Sequence, residues 1–276
     1  MTLKQALDKG ILILESNNIA DAQIDAWLLL SHVSNVTRAD YFIKQNDLVD
    51  EAIYAKYIEL IDRRANHEPL QHITGEQDFM GLTFKVNEHV LIPRQDTETL
   101  VEEALKVIPD DGYILDLCTG SGCVIISLAA LSNAVKCVGV DISEMALEVA
   151  KKNGSRLVGD RVRFFESDLW SNITEKYDVI TSNPPYIRTS DIEELSIEVK
   201  DHEPRLALDG TADGLFFYRQ IVGRAADYLN LGGWLLVEIG FDQGADVQAL
   251  FEEAGFKEVQ VIKDLAGNNR VVKGHL

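Results

Sequence analysis

Apolar residues recur at helical spacing from Thr2 to about Arg64, as in Leu3, Ala6, Leu7, Ile11 and Leu12, and later in Ala26, Leu28, Leu29 and Leu30. No run of β-branched residues interrupts them, so this stretch is expected to be helical. Cap-forming residues at Ser16-Asn17-Asn18, Ser34-Asn35 and Asn46-Asp47 divide it into several short helices. Residues 1–66 therefore read as a small all-helical domain. Between Glu68 and Pro93 the pattern changes to alternation: Leu70 and His72, then Phe79, Leu82, Phe84 and Val86, with breaks at Gly75 and Gly81. That predicts a β-hairpin in a linker spanning 67–92. From 93 to 276 a helix over Asp96–Val107 leads into strands at Tyr113–Leu117, Val135–Val140, Val162–Ser167, Tyr177–Ser182 and Trp234–Ile239, separated by helices. Two last strands, Glu258–Ile262 and Arg270–Lys273, are close enough to pair as a hairpin. Strand and helix in regular succession imply an α/β fold with a doubly wound, mostly parallel seven-stranded sheet.

The composition narrows the function classes. With 46% hydrophobic and 26% charged residues, and no apolar stretch near the roughly 20 residues a membrane helix needs, the chain reads as a soluble globular protein. The first ten residues lack a basic segment and a small-residue cleavage site, so a cytoplasmic protein is expected, and it is expected to be a monomer. The formal net charge of -19 opposes phosphate backbones, which argues against a nucleic-acid partner and suits a basic one. The three cysteines form no C-x-x-C pair and the six histidines are scattered, so reduced thiols and no metal site are expected.

The segment from Ile114 through Asp116, Cys118, Thr119, Gly120, Ser121 and Gly122 to Ile126 runs from an apolar strand through a small-residue turn into an apolar helix. In an open α/β sheet such a turn lies at the carboxyl edge, where ligands bind. A dinucleotide fingerprint starting at Gly120 would need its third glycine where Ile125 stands, so nicotinamide binding is disfavoured. The next strand ends in Asp141, followed by Ile142, at the spacing where an acidic residue takes two ribose hydroxyls. Asp116 can face an ammonium group. An adenosyl group joined to an amino acid through a sulfonium is S-adenosylmethionine, and Asp168 and Trp170, closing the third strand, suit the amino group and the ring of its adenine.

The fourth strand runs into Asn183-Pro184-Pro185-Tyr186. Two successive prolines forbid helix and remove two N–H donors, leaving the Asn183 side-chain oxygen and the Pro184 carbonyl as rigid acceptors. An amide or aromatic amine is a poor nucleophile because its lone pair is delocalised. Two acceptors can take its N–H bonds, orient the nitrogen and stabilise the charge that grows on it. Tyr186 offers a flat face for a planar group. Cys118 and Cys123 read as packing residues, since nothing near them supplies a base.

On these motifs the chain resembles the class I methyltransferases. With Glu68-Pro69-Leu70-Gln71-His72-Ile73-Thr74-Gly75, Leu91-Ile92-Pro93-Arg94-Gln95-Asp96-Thr97-Glu98, Glu203-Pro204-Arg205-Leu206-Ala207-Leu208-Asp209-Gly210 and Gly267-Asn268-Asn269-Arg270, it resembles the HemK/PrmC family of peptide chain release factor glutamine N5-methyltransferases nearly throughout. The resemblance implies a helical N-terminal domain that contacts the substrate, substrate contacts from Arg94 and the Asn183–Tyr186 loop, and a class 1 release factor as partner, modified on the glutamine of its Gly-Gly-Gln loop. Two motifs depart from the family: Cys118 stands where a glycine is usual, and Gln95-Asp96 replaces Pro-Glu. The clamp alone leaves open a ribosomal-protein glutamine, N6-adenine methylation of DNA, or a catalytically silent adaptor.

Overall fold

A computed structural model describes all 276 residues. Five helices lead: α1 (Leu3–Ser16), α2 (Ala22–Ser34), α3 (Arg38–Lys44), α4 (Glu51–Ala65) and α5 (Leu70–Thr74). The hairpin β1 (Glu76–Phe79) and β2 (Leu82–Lys85) follows, then α6 (Glu98–Leu105), β3 (Tyr113–Leu117), α7 (Cys123–Leu131), β4 (Lys136–Asp141), α8 (Glu144–Leu157), β5 (Val162–Glu166) and β6 (Tyr177–Ser182). The chain closes with α9 (Ile197–His202), α10 (Phe216–Tyr228), β7 (Leu229–Glu238), α11 (Gly244–Glu253), β8 (Lys257–Lys263) and β9 (Asn269–His275). No helix is long and apolar enough to cross a membrane.

Two compact units result, one of Met1–Gly75 with Ser196–His202, the other of Glu76–Leu195 with Glu203–Leu276. In the first, the predicted breaks are helix ends with identifiable chemistry. The Thr2 hydroxyl accepts from Gln5 N–H in a capping box that starts α1, Asn35 closes α2 in the left-handed region (φ 55°), and Asp50 caps α4. Ala6, Leu14, Ala26, Leu29, Tyr57 and Ile61 fill its core. Leu70–Thr74 is a helix rather than part of the expected hairpin. Five residues are too few to show a 3.6-residue period, and Leu70 and His72 happen to match a strand's alternation.

The same unit holds a buried guanidinium. Arg64 Nε donates to Asp25 at 2.6 Å and Nη2 to Glu198 at 2.6 Å, with the arginine side chain only 6% exposed. Removing one partner of a buried ion pair leaves the other charge uncompensated. Arg64→Met is therefore expected to lower stability by about 3–5 kcal/mol, read as a shift in the urea midpoint. A midpoint unmoved from wild type would show that Asp25 is solvated in the native state.

In the second unit the sheet order is β5-β4-β3-β6-β7-β9-β8. The first five strands are parallel, and β9 pairs antiparallel with both β7 and β8. The doubly wound, mostly parallel seven-stranded sheet expected from the sequence is thus present. Its strands are apolar on both faces because both faces are covered: Leu115, Val140, Tyr218 and Phe251 belong to one core, and Ile114, Ile126, Leu100 and Phe84 to the other. The β1–β2 hairpin turns through Met80 and Gly81, both at positive φ (50° and 74°), the geometry of a two-residue primed turn. Chain order runs outward from β3 in both directions, so the topological switch point lies beside β3, at the carboxyl ends of β3 and β6.

Candidate functional site

A cavity of about 320 Å³ opens at that switch point, within the range of small-molecule sites. The ends of β3, β4, β5 and β6 supply Asp116, Asp141, Ser167, Asp168 and Asn183 to its wall. The turn between β3 and α7 supplies Cys118, Thr119, Gly120 and Ser121. Its backbone alternates through the left-handed region at Cys118 (φ 57°), Gly120 (54°) and Gly122 (81°). A β-carbon at the first of these positions costs about 1–2 kcal/mol, which is the physical reason a glycine is usual there.

The two carboxylates are anchored differently. Asp116 is 1% exposed; Thr119 Oγ1 donates to its Oδ2 and Thr181 Oγ1 to its Oδ1, each at 2.7 Å. Burial pushes its carboxyl up to about 7, against the pull of the two hydroxyls. Asp141 accepts from Gly120 N–H at 2.8 Å and Ser143 N–H at 2.9 Å, tying the turn to the end of β4. Burial raises its carboxyl too, and those backbone N–H groups oppose the rise. Both carboxylates thus face a mostly apolar cavity.

The Asn183–Tyr186 loop leaves β6 at the same edge. Asn183 and Pro185 line the cavity, and Asn183 Nδ2 donates to Thr97 Oγ1 at 3.3 Å. The loop continues into a short parallel bridge, Ile187 with Asp209, in which Ile187 N–H donates to Leu208 O and Gly210 N–H to Ile187 O. A β-carbon at Gly210 would lie 2.7 Å from the Tyr186 backbone, so the close approach of the two segments requires glycine. Gln243 Nε2 donates to Tyr186 O at 3.0 Å and holds the loop from the α11 side. Pro204, Leu206 and Ala207 also reach the cavity wall, and Arg94, itself part of the wall, is ion-paired with the buried Glu203.

Of the remaining residues singled out in the sequence, Ile142 and Asp168 line the cavity, whereas Gly122, Pro184, Tyr186 and Trp170 do not. Trp170 must be reassigned. Its ring is 3% exposed, stacks on Tyr228 at 4.6 Å, and donates from Nε1 to Gln220 O. Leu169, at φ 45°, turns the chain there, so Leu169 and not Trp170 reaches the wall, together with Phe217 from α10. Gly122 serves packing: a β-carbon would meet Ile126 at 2.9 Å and Phe164 at 3.3 Å. Tyr186 is half-buried, and burial pushes its phenol up. The expected stacking face is therefore not part of the cavity. Cys118 and Cys123 do face it, and burial pushes both thiols up, the second to about 12, so they stay neutral. Thr97 and Phe217 also line the wall and Thr181 anchors Asp116; of these three only Thr97 falls inside a motif that the sequence singles out.

Known proteins resemble this chain over nearly its whole length. Residues 5–75 match the model described as the PrmC N-terminal domain, and 95–200 the methyltransferase small domain. A release factor glutamine methyltransferase of Geobacter sulfurreducens is 41% identical over 276 residues, covering 100% of this chain and 97% of that protein. One of Clostridium botulinum is 42% identical and covers 99% of each. Among solved structures, a methyltransferase from Pyrococcus furiosus superposes with a TM-score of 0.53 at 19% identity, over 71% of this chain and 89% of that one, a likeness of fold.

Proposed function

The chain belongs to the release factor glutamine methyltransferase family, and from that premise we propose that it transfers a methyl group from S-adenosylmethionine to the side-chain amide nitrogen, N5, of the Gly-Gly-Gln glutamine of class 1 peptide chain release factors. The observation that carries the reading is the meeting, in one cavity, of the buried Asp116, the partly buried Asp141 and the Asn183 amide. A nicotinamide site would need a pyrophosphate, which Asp116 at the end of β3, beside the turn, would repel.

The residues fit the cofactor in kind. Asp116 would hold its ammonium group, Asp141 its ribose hydroxyls, and Asp168 the adenine amino group between Ile142, Leu169 and Phe217. The Cys118–Ser121 stretch would border the amino-acid end; the Thr119, Gly120 and Gly122 N–H groups are spent on Val140 O, Asp141 and Thr119 O, which fixes the turn's shape. Bound there, S-adenosylmethionine supplies a methyl group on a positively charged sulfur. The protein's task is then to present a weak nucleophile correctly. Asn183 Oδ1, on the cavity wall, would accept one N–H bond of the glutamine amide, and the Pro184 carbonyl, from the residue between the two wall residues Asn183 and Pro185, would take the other; together they would orient the nitrogen and stabilise the positive charge that develops. Pro185 and Tyr186 keep that loop stiff, and Arg94, anchored by Glu203, borders the entrance. As the N–C bond forms, the S–CH3 bond would break to leave S-adenosylhomocysteine, and the methylated nitrogen, acidified by its growing charge, would lose one proton to solvent, so no strong base is required. The net charge of -19 suits a basic protein loop better than a nucleic acid. A cytoplasmic monomer completes the reading.

The test is methyl transfer from labelled S-adenosylmethionine to unmodified release factor, its loop Gln→Ala variant, ribosomal protein and adenine-containing DNA. Label on the release factor alone, absent from the variant, is expected. Label on ribosomal protein or DNA instead would overturn the substrate, and no label anywhere would overturn the activity.

A further inference from the structure

Two segments that the reaction does not use directly converge behind Asn183. Thr97, 2% exposed, sits in the 3-10 turn Gln95–Thr97 ahead of α6, and its N–H donates to Arg94 O at 3.1 Å. Arg270 at the start of β9 pins the same turn through Asp96 at 3.0 Å and is itself held by Asp264 at 3.1 Å. Glu238, the last residue of β7, is 2% exposed, and its Oε2 has no hydrogen-bond partner. A buried carboxylate oxygen left without a hydrogen bond is expensive, so its presence here points to a use.

The neighbours of that acid indicate the use. The Thr97 hydroxyl and the Asn183 side chain both favour its ionised form, as does the Arg270 charge. Asn183 Nδ2 in turn faces Thr97 Oγ1. An asparagine amide can present either end to a cavity, and which end decides whether it accepts or donates. We infer that Glu238 and Thr97 form an orientation lock on Asn183: the carboxylate accepts a hydrogen bond from the Thr97 hydroxyl, the Thr97 oxygen accepts one from Asn183 Nδ2, and Asn183 Oδ1 is thereby turned toward the substrate amide. Glu238 and Thr97 are positioning residues, since they act through Asn183. The inference rests on the proposed role of Asn183 as acceptor.

The lock has a polarity that depends on one proton. A protonated Glu238 can donate to Thr97, which then donates to Asn183 Oδ1 and turns Nδ2 toward the cavity, where it repels the substrate's N–H groups. Burial pushes the Glu238 carboxyl up to about 7. The other groups facing it are Arg270 from β9, Asp96 from the turn before α6, Tyr186 from the proline loop, Tyr218 from α10 and Cys123 from α7. Burial pushes the two phenols and the thiol up, so none of these three ionises near neutrality.

The test reads kcat at saturating cofactor across pH, beside the side-chain amide protons of Asn183 by NMR in the substrate-free protein. Wild-type kcat is expected to fall as pH drops through about 7. Thr97→Val should lose roughly 100-fold in kcat with cofactor affinity unchanged, and Thr97→Ser should restore most of it. Glu238→Gln, isosteric and neutral at every pH, should flatten the profile at about a tenth of the wild-type rate. In the NMR arm, the Asn183 amide signals should move with pH in the wild type and stand still in Glu238→Gln. Wild-type kcat in Thr97→Val, with amide signals indifferent to pH, would overturn the lock. Signals that track pH in a protein that methylates no release factor would support the lock and overturn the substrate instead.

Discussion

Replacing Asn183 by alanine will lower methyl transfer by roughly 100- to 1,000-fold, the range seen when one preorganised polar group facing a developing charge is removed. Cofactor affinity should change little, because the carboxylates assigned to the cofactor lie on β3 and β4, while Asn183 leaves β6 toward Thr97. The change should appear in kcat and not in the Kd for S-adenosylmethionine, measured by calorimetry, since the interaction strengthens as the amide nitrogen gains charge. Asn183→Asp is the sharper variant. It keeps an acceptor toward the substrate but places a carboxylate oxygen where Nδ2 now meets Thr97, close to the buried Glu238. Repulsion should displace the side chain, so aspartate is expected to rescue little. If alanine at this position retained the wild-type kcat, the acceptor clamp would be wrong.

The positions of the central strands were legible in the sequence because β3, β4, β6 and β7 are largely buried on both faces and therefore read as apolar runs bounded by turns. The cavity was legible for a related reason. In a parallel sheet every strand delivers its carboxyl end to the same edge, so acids and glycines after successive strands must converge there. What the sequence concealed depends on directions that strand order does not determine. Trp170 follows a residue at positive φ, and that one dihedral decides whether the indole enters the cavity or the core. Gly122 looked like part of a ligand-approaching turn, yet its missing β-carbon makes room for Ile126 and Phe164. Thr97, Asn183 and Glu238 are distant in sequence, and only the sheet order, which sets β6 against β7, brings them together. An isolated Glu at the end of an apolar strand carries no sign of burial.

The affinity for S-adenosylmethionine should pass through a maximum slightly above neutrality and fall on both sides. Burial raises Asp116 from an ordinary value of 3.8 to about 7. In the ligand-free protein this group therefore contributes stability that is fully present below about pH 4 and is lost as pH rises through about 7. An ammonium group placed against the carboxylate reverses that preference, since it favours the ionised form. Below about pH 7, binding must displace a proton from Asp116, and affinity should weaken by up to about tenfold per unit. Above roughly pH 8 the ligand's own amino group loses its proton and the attraction disappears. Asp116→Asn removes the proton to be displaced: affinity should be weak and flat across the acid limb while the alkaline fall diminishes. Titration calorimetry from pH 5.5 to 9 in several buffers would also count the proton released. The profile separates Asp116 from Glu238, because the first acts on the dissociation constant and the second on kcat at saturation. A dissociation constant independent of pH across the acid limb would remove Asp116 from the ammonium site and leave the Asn183 clamp standing.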